Sequence, residues 1–276
     1  MSHRFLPPII LLATANCTVA HESDDPTQPP RLADLLESSS MIDRTHPFDA
    51  ETIYWPTAEG FELRVDARGL TDDGYYYTAN SFSAAEHGGT HLDAPIHFAE
   101  GGWTTDQIPV ERLIGPAVRI DVSSRCLENA DYEVGVEDFR SWEDQHGNLP
   151  EGAIVLLYTG FSRHWPNRAR YLGTEDQGEQ AVANLHFPGL APAAALWLAE
   201  NRSIRAIGLD TPSIDFGQSK QFQSHQILFE ANIPAFESVD QLERLPEKDF
   251  VIVALPMKIG GGSGGPLRIV ALLPGV

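Results

Sequence analysis

The sequence predicts an α/β domain with a β-rich core, and three observations carry that reading. Short β-branched runs bounded by turn residues recur at 117-AVRIDV-122, 153-AIVLLYTG-160, 204-IRAIGLD-210, 250-FVIVALP-256 and 267-LRIVALL-273. Segments with helical spacing lie between some of them. From Leu32 to Val276 there is no internal repeat, low-complexity linker or second composition zone, so one domain is expected over 32–276.

Taken in chain order, the first residues differ from the rest. Arg4 precedes the apolar run 5-FLPPIILLATA-15, then small residues, then the acidic 21-HESDDPTQPP-30. A basic start, a short apolar stretch and a small-residue cleavage zone describe an export leader over 1–20. Residues 21–31 then read as a flexible linker. Export would place the mature protein in the periplasm or outside the cell; the cytoplasm is the alternative. The run is shorter than the roughly 20 residues that span a bilayer. The stretch 14-TANC-17 also resembles a lipoprotein box, which would make Cys17 a lipid anchor.

The aromatic-rich segments 53-IYWPTAEGFEL-63 and 74-GYYYTANSFSAAEHGG-89 read as loops or hairpin strands. Helices are expected over 136–145, over 191–202 with Pro192 near its start, and over 224–232 with Ser224 as N-cap. The strand runs are apolar without strict alternation, the pattern of strands buried on both faces. The glycine run 260-GGGSGGP-266 lacks the Lys-Ser/Thr of a phosphate loop, so a flexible hairpin or oligomer-contact loop is expected there.

Composition excludes several classes. Hydrophobic residues at 42% and charged residues at 21% can build a packed core. A net charge of −20 repels phosphate backbones, so nucleic acid is not an expected partner. Cys17 and Cys126 are the only cysteines, and removal of the leader would leave no internal disulfide. Cys126, with no His or Cys neighbour, reads as structural.

The chemistry concentrates in 86-EHGGTHLDAPIHF-98. An extended chain advances about 3.3 Å per residue, so His91 and His97 would lie roughly 20 Å apart, and His87 and His91 about 13 Å apart. Convergence requires bends. Gly88-Gly89 supplies one and Asp93-Ala94-Pro95 the other. Two imidazoles and a carboxylate from His87, His91 and Asp93 suit Mn²⁺, Zn²⁺ or Fe²⁺ with positions left for water and substrate. His97, beyond the proline, is assigned proton transfer. Downstream, His225 or Gln226 could complete the metal sphere, and Glu237 could hold a second ion or orient a histidine. The stretch 210-DTPSID-215 follows a predicted strand, where α/β folds place ligand groups, and Ser213 within it is a substrate-contact candidate. His46, His146, His164 and His186 lack such context and default to surface or substrate-loop roles.

The segment 87-HGGTHLDAPIH-97 resembles the His-x-Gly-Thr-His-x-Asp-x-Pro-x-His signature of the cyclase-like metal-dependent hydrolases, complete and without substitution. The likeness extends to 42-IDRTHPF-48, 54-YWP-56, 210-DTPSID-215, 224-SHQ-226 and Phe236-Glu237. It implies a swivelling β/β/α-type single domain with a mixed, β-rich sheet, usually an oligomer. It also implies metal contact by His87, His91 and Asp93, with His97 as the catalytic acid/base. In the kynurenine formamidase branch two ions are implied, with further ligands at His225 and Glu237. In the isatin hydrolase branch one Mn²⁺ is implied, with a glutamine matching Gln226, and the N-terminal aromatics and chain length look more like this branch. Both branches cleave an amide beside an aromatic amine, so a small aromatic amide is the implied substrate, with Tyr54, Trp55, Phe61 and Phe82 as candidates to stack on its ring. A metal-binding relative without turnover is the competing class, and an intact His97 speaks against it.

Overall fold

The computed structural model describes residues 32–275. The expected leader, the Cys17 anchor and the 21–31 linker lie outside the described residues. A short helix spans Leu32–Ser38; the N-terminal unit of the chain ends at Glu37, and Ser38–Val276 form the second unit. Among the described residues no helix is long and apolar enough to cross a membrane.

The second unit carries strands β1 (Ser40–Asp43), β2 (Glu62–Leu70), β3 (Tyr76–Ser83), β4 (His91–Asp93), β5 (Ile114–Asp121), β6 (Glu133–Val134), β7 (Ile154–Tyr158), β8 (Gly189–Leu190), β9 (Ala206–Leu209), β10 (Ala235–Glu237), β11 (Phe250–Pro256) and β12 (Gly264–Leu273). Eight of them form one mixed sheet in the order β1-β12-β11-β5-β7-β9-β10-β4, and a further β12–β4 pairing closes it into a barrel-like core. The pairs β5–β7, β7–β9 and β9–β10 are parallel; the remaining pairs of this sheet are antiparallel.

Strand periodicity builds two apolar layers. On β7, Ile154 and Leu156 face the barrel interior with Ala206, Phe236, Ile252 and Ile269. Val155 and Leu157 face the opposite layer, where Phe139, Ala194, Leu198, Leu228 and Phe229 of the covering helices pack. Both faces of β7 are therefore buried, which is why its sequence lacks alternation. The five predicted strands all form. Helices occupy Val136–His146, Pro192–Asn201 and Gln223–Glu230, close to the expected ranges.

Three expectations are corrected. Ser224 lies inside its helix, buried, with Oγ donating to Leu190 O at 2.7 Å; the N-cap is Phe222. The glycine run does lie in the connection of the antiparallel β11–β12 hairpin, but its end is not flexible, because Gly264–Pro266 begin β12 and pair with β4. His46 is buried rather than on the surface, its ring stacked on Trp165 at 4.0 Å. Cys126 is buried, and burial pushes its thiol up to about 12.

Candidate metal centre

The three-residue strand β4 sets the site by alternation. Its middle residue, Leu92, points into the barrel core, so His91 and Asp93 share the opposite face. The neighbouring β10 repeats the arrangement, with Phe236 inward and Glu237 set beside His91 in register. The two bends lie where the sequence places them. Gly89 adopts φ 57°, a left-handed conformation that suits glycine, and a 3-10 turn over Pro95–His97 follows β4. That turn brings His97 back over the site, its ring stacked on His87 with centroids 3.9 Å apart.

His225 arrives from the helix Gln223–Glu230, whose buried face comprises Ser224, His225, Leu228 and Phe229. Gln226, one position on, is rotated by about 100° and exposed; its amide donates to Gln221 O. The structure therefore brings His225 to the cluster and keeps Gln226 out of it.

Each of three histidines has one ring nitrogen tied to a partner outside the cluster and the other turned inward. His91 Nδ1 donates to Gly89 O at 3.0 Å, and His225 Nδ1 to Asp215 Oδ2 at 2.6 Å. His87 Nε2 lies 2.9 Å from Ser263 Oγ. The inward nitrogens face carboxylates. His91 Nε2 lies 3.1 Å from Asp93 Oδ1 and 3.4 Å from Glu237 Oε2. His225 Nε2 lies 3.2 Å from both Asp93 Oδ2 and Glu237 Oε1. His87 Nδ1 lies 2.6 Å from Asp93 Oδ1.

A metal fits this donor set. With the outer nitrogen protonated, each inner nitrogen presents a lone pair to a carboxylate oxygen, which is repulsive unless a cation sits between them. Ligand bonds of about 2.1 Å at tetrahedral angles put donor atoms about 3.4 Å apart, near the spacings seen. Among the described residues two groups have ligand atoms within reach of one another: His87, Asp93 and His97, and His91, Asp93 and Glu237. Asp93 belongs to both, with one oxygen toward His87 and His91 and the other toward His225. His97 thus sits within metal distance as well as at the cavity wall.

The electrostatics agree. Burial opposes charge on His91, yet Asp93 and Glu237 overcome it and lift its pKa to about 9. His225 is likewise raised, against burial, by Asp215, Asp93 and Glu237. Burial works to raise Asp93, but the surrounding histidines hold it well below the carboxylate range. Burial, reinforced by Asp93, raises Glu237. Protons therefore occupy the ring positions that a metal would take. His97 has no carboxylate in bonding contact; burial lowers it to about 4, which leaves it neutral and able to accept a proton at neutral pH.

Above the cluster lies a cavity of about 320 Å³ walled by Ile53, Trp55, Ala58, Ala85, Phe98 and Phe222. Ser213 also lines it. Phe98 packs on His225 at 4.6 Å and on Phe222 at 5.3 Å, and Trp55 meets Phe222 at 6.3 Å. Of the four aromatics read as ring-stacking candidates, only Trp55 lines this cavity. Tyr54 props the histidine-bearing turn, because a Cβ on Gly88 would fall 2.1 Å from its ring. Phe61 and Phe82 pair with each other at 5.8 Å at the base of the β2–β3 hairpin, away from the cavity. Phe98, Phe222, Asp215 and Ser263 went unassigned in the sequence. Phe98 ends the histidine motif, and Asp215 closes the quoted 210–215 stretch, so both lay beside the signals.

Comparison with known proteins accords with this arrangement. The Cyclase family model matches residues 42–216. Isatin hydrolase of Roseibium aggregatum is 30% identical over 210 residues, covering 73% of this chain and 77% of the relative. Kynurenine formamidase of Bacillus cytotoxicus is 27% identical over 235 residues, covering 85% and 98%. The solved isatin hydrolase A of Ralstonia solanacearum superposes with a TM-score of 0.79 at 31% identity, over 90% of this chain and 98% of that one. With the motif, the barrel and the histidine–carboxylate cluster all in place, the chain belongs to the Cyclase family and is a metal-dependent hydrolase.

Proposed function

We propose that the protein opens the cyclic amide of isatin, or of a similar aryl lactam, to the ring-opened carboxylate. The observation that carries this reading is the lining of the cavity. Among the described residues, its charged groups all belong to the metal cluster, and no Lys or Arg walls it. A flat neutral bicycle suits aromatic and aliphatic walls. N-formylkynurenine carries an amino-acid carboxylate that such walls leave without a partner.

His87, His91, Asp93, His225 and Glu237 would hold the metal, Mn²⁺ or alternatively Zn²⁺, as one or two ions. When bound, the metal supplies Lewis acidity toward the amide oxygen and toward water. Neutral His97 takes a proton from the attacking water and returns it to the leaving nitrogen. Trp55, Phe98 and Phe222 orient the aryl ring and exclude bulk water.

Arylformamidase activity is the second reading, favoured by one observation. His225 and Glu237, the ligands implied for that branch, sit in the cluster, whereas Gln226 does not. Side-by-side hydrolysis of isatin and N-formylkynurenine by the Mn²⁺-reconstituted protein, followed by absorbance, decides between them. A higher kcat/KM for the formyl substrate overturns the first reading.

An oligomer belongs to the same proposal. The β2–β3 hairpin exposes Leu63, Val65, Leu70, Tyr76, Tyr77 and Phe82, and a lone two-stranded hairpin is marginal in water. A second copy covering it would bury this surface. Light scattering on the eluting peak tests that, and a monomer at micromolar concentration would refute it.

A further inference from the structure

We propose that Ser263, backed by Glu86, is a positioning residue for His87, and that the glycine-rich loop is built to deliver it. The inference rests on His87 being a metal ligand. Ser263 Oγ donates to Glu86 Oε2 at 2.6 Å, and Ser263 N–H donates to the same oxygen at 2.9 Å. With its one proton committed to Glu86, the hydroxyl accepts from His87 Nε2, 2.9 Å away. His87 is thereby held with hydrogen on Nε2 and with Nδ1 aimed at Asp93 Oδ1.

This ligand needs the help more than its neighbours do. The His87 side chain is 23% exposed, against 4% for His91 and 3% for His225. The latter two are buried and also have a partner for the outer nitrogen, Gly89 O and Asp215, while the more exposed His87 has its outer nitrogen held by a hydroxyl 176 positions away.

The loop is shaped for the task. Ala94 N–H donates to Ser263 O at 2.8 Å, Thr105 N–H to Gly262 O at 2.9 Å, and Gly261 N–H to Asp106 Oδ1 at 2.9 Å. Ser263 is therefore clamped on both sides. A Cβ on Gly264 would fall 2.6 Å from His87 Cε1, and one on Gly262 would fall 2.8 Å from Glu86 Oε1. The glycines flanking Ser263 leave the space that His87 and Glu86 occupy.

The test uses the metal-stripped full chain, titrated with Mn²⁺ and with Zn²⁺ by calorimetry. Ser263→Ala should weaken binding by about 10- to 100-fold, the usual effect of losing a hydrogen-bond partner of a ligating histidine. Ser263→Thr, which keeps the hydroxyl, should restore most of it, and Glu86→Gln should fall between. Nitrogen-15 NMR of the imidazoles gives a second readout independent of turnover. His87 should carry hydrogen on Nε2 in the wild type and lose that single arrangement in Ser263→Ala. Wild-type affinity for both metals together with an unchanged His87 signal in Ser263→Ala overturns the proposal. Failure of the wild type to bind either metal overturns the metal reading beneath it.

Discussion

Asp215 Oδ2 lies 2.6 Å from His225 Nδ1 and accepts the His225 backbone N–H at 3.1 Å. Its other oxygen accepts the Ser224 N–H at 3.2 Å. One carboxylate thus anchors the start of the helix Gln223–Glu230 and fixes which nitrogen of His225 faces Asp93 and Glu237.

Replacing it should separate these two effects. Asp215→Asn keeps the shape but weakens acceptance from the imidazole, and metal affinity should fall by about 10- to 100-fold. The melting temperature should fall as well, because helix N-terminal hydrogen bonds contribute about 0.5–2 kcal/mol. Equilibrium dialysis with Mn²⁺ and a thermal melt check both; unaltered affinity would remove Asp215 from its orienting role.

Metal binding should release protons. In the metal-free protein His91, raised from 6.5 to about 9, is charged at pH 7, while a bound ion needs it neutral. Affinity should therefore rise with pH up to about 9 and drop as the medium is acidified. The sign for stability is opposite. In the metal-free state the His91 contribution is complete below pH 6.5 and fades as pH climbs through 9. Calorimetry in buffers of different ionisation enthalpy counts the protons, and a count of zero at pH 7 contradicts the picture.

His97→Ala should lower kcat by about 10²- to 10⁴-fold, the range for loss of a general acid/base. Because His97 also lies within metal distance of His87 and Asp93, metal content is the discriminating measurement. Retained metal with lost turnover assigns proton transfer; lost metal would make His97 a ligand.

Phe222 holds φ 49°, a conformation bulky side chains rarely adopt, while its ring closes the cavity against Trp55 and Phe98. Phe222→Gly removes about 1–2 kcal/mol of backbone strain but also the ring. Stability should change little. An aromatic contact is worth about 0.5–1.5 kcal/mol, so KM for an aryl amide should rise roughly two- to tenfold with kcat less affected. A KM equal to wild type would take Phe222 out of substrate contact.

How much was legible beforehand follows the range of the interactions. Unbroken apolar runs announce β7 and β9 because strands covered on both faces have no polar side to display, while β5 shows a β-branched run interrupted by Arg119 and Asp121. The three-residue strands β4 and β10 gave no such signal. They are too short for periodicity, and pairing makes them strands: β4 with β10 and β12, and β10 with β4 and β9. Helical spacing located the segment around His225 but not its buried face, so His225 and Gln226 stayed equivalent until packing turned one inward.

By itself the sequence determined the bends between His87, His91, Asp93 and His97, since glycine freedom and proline restriction act within a few bonds. It likewise determined the α/β class, because burial on two faces selects composition directly. Only the tertiary structure decided which distant groups complete the site. Glu237 arrives through register with His91, Asp215 and His225 through one helix start, and Ser263 through a loop held beside β4. Those meetings depend on where strands pair in a closed barrel, and no local stretch of chain carries that information.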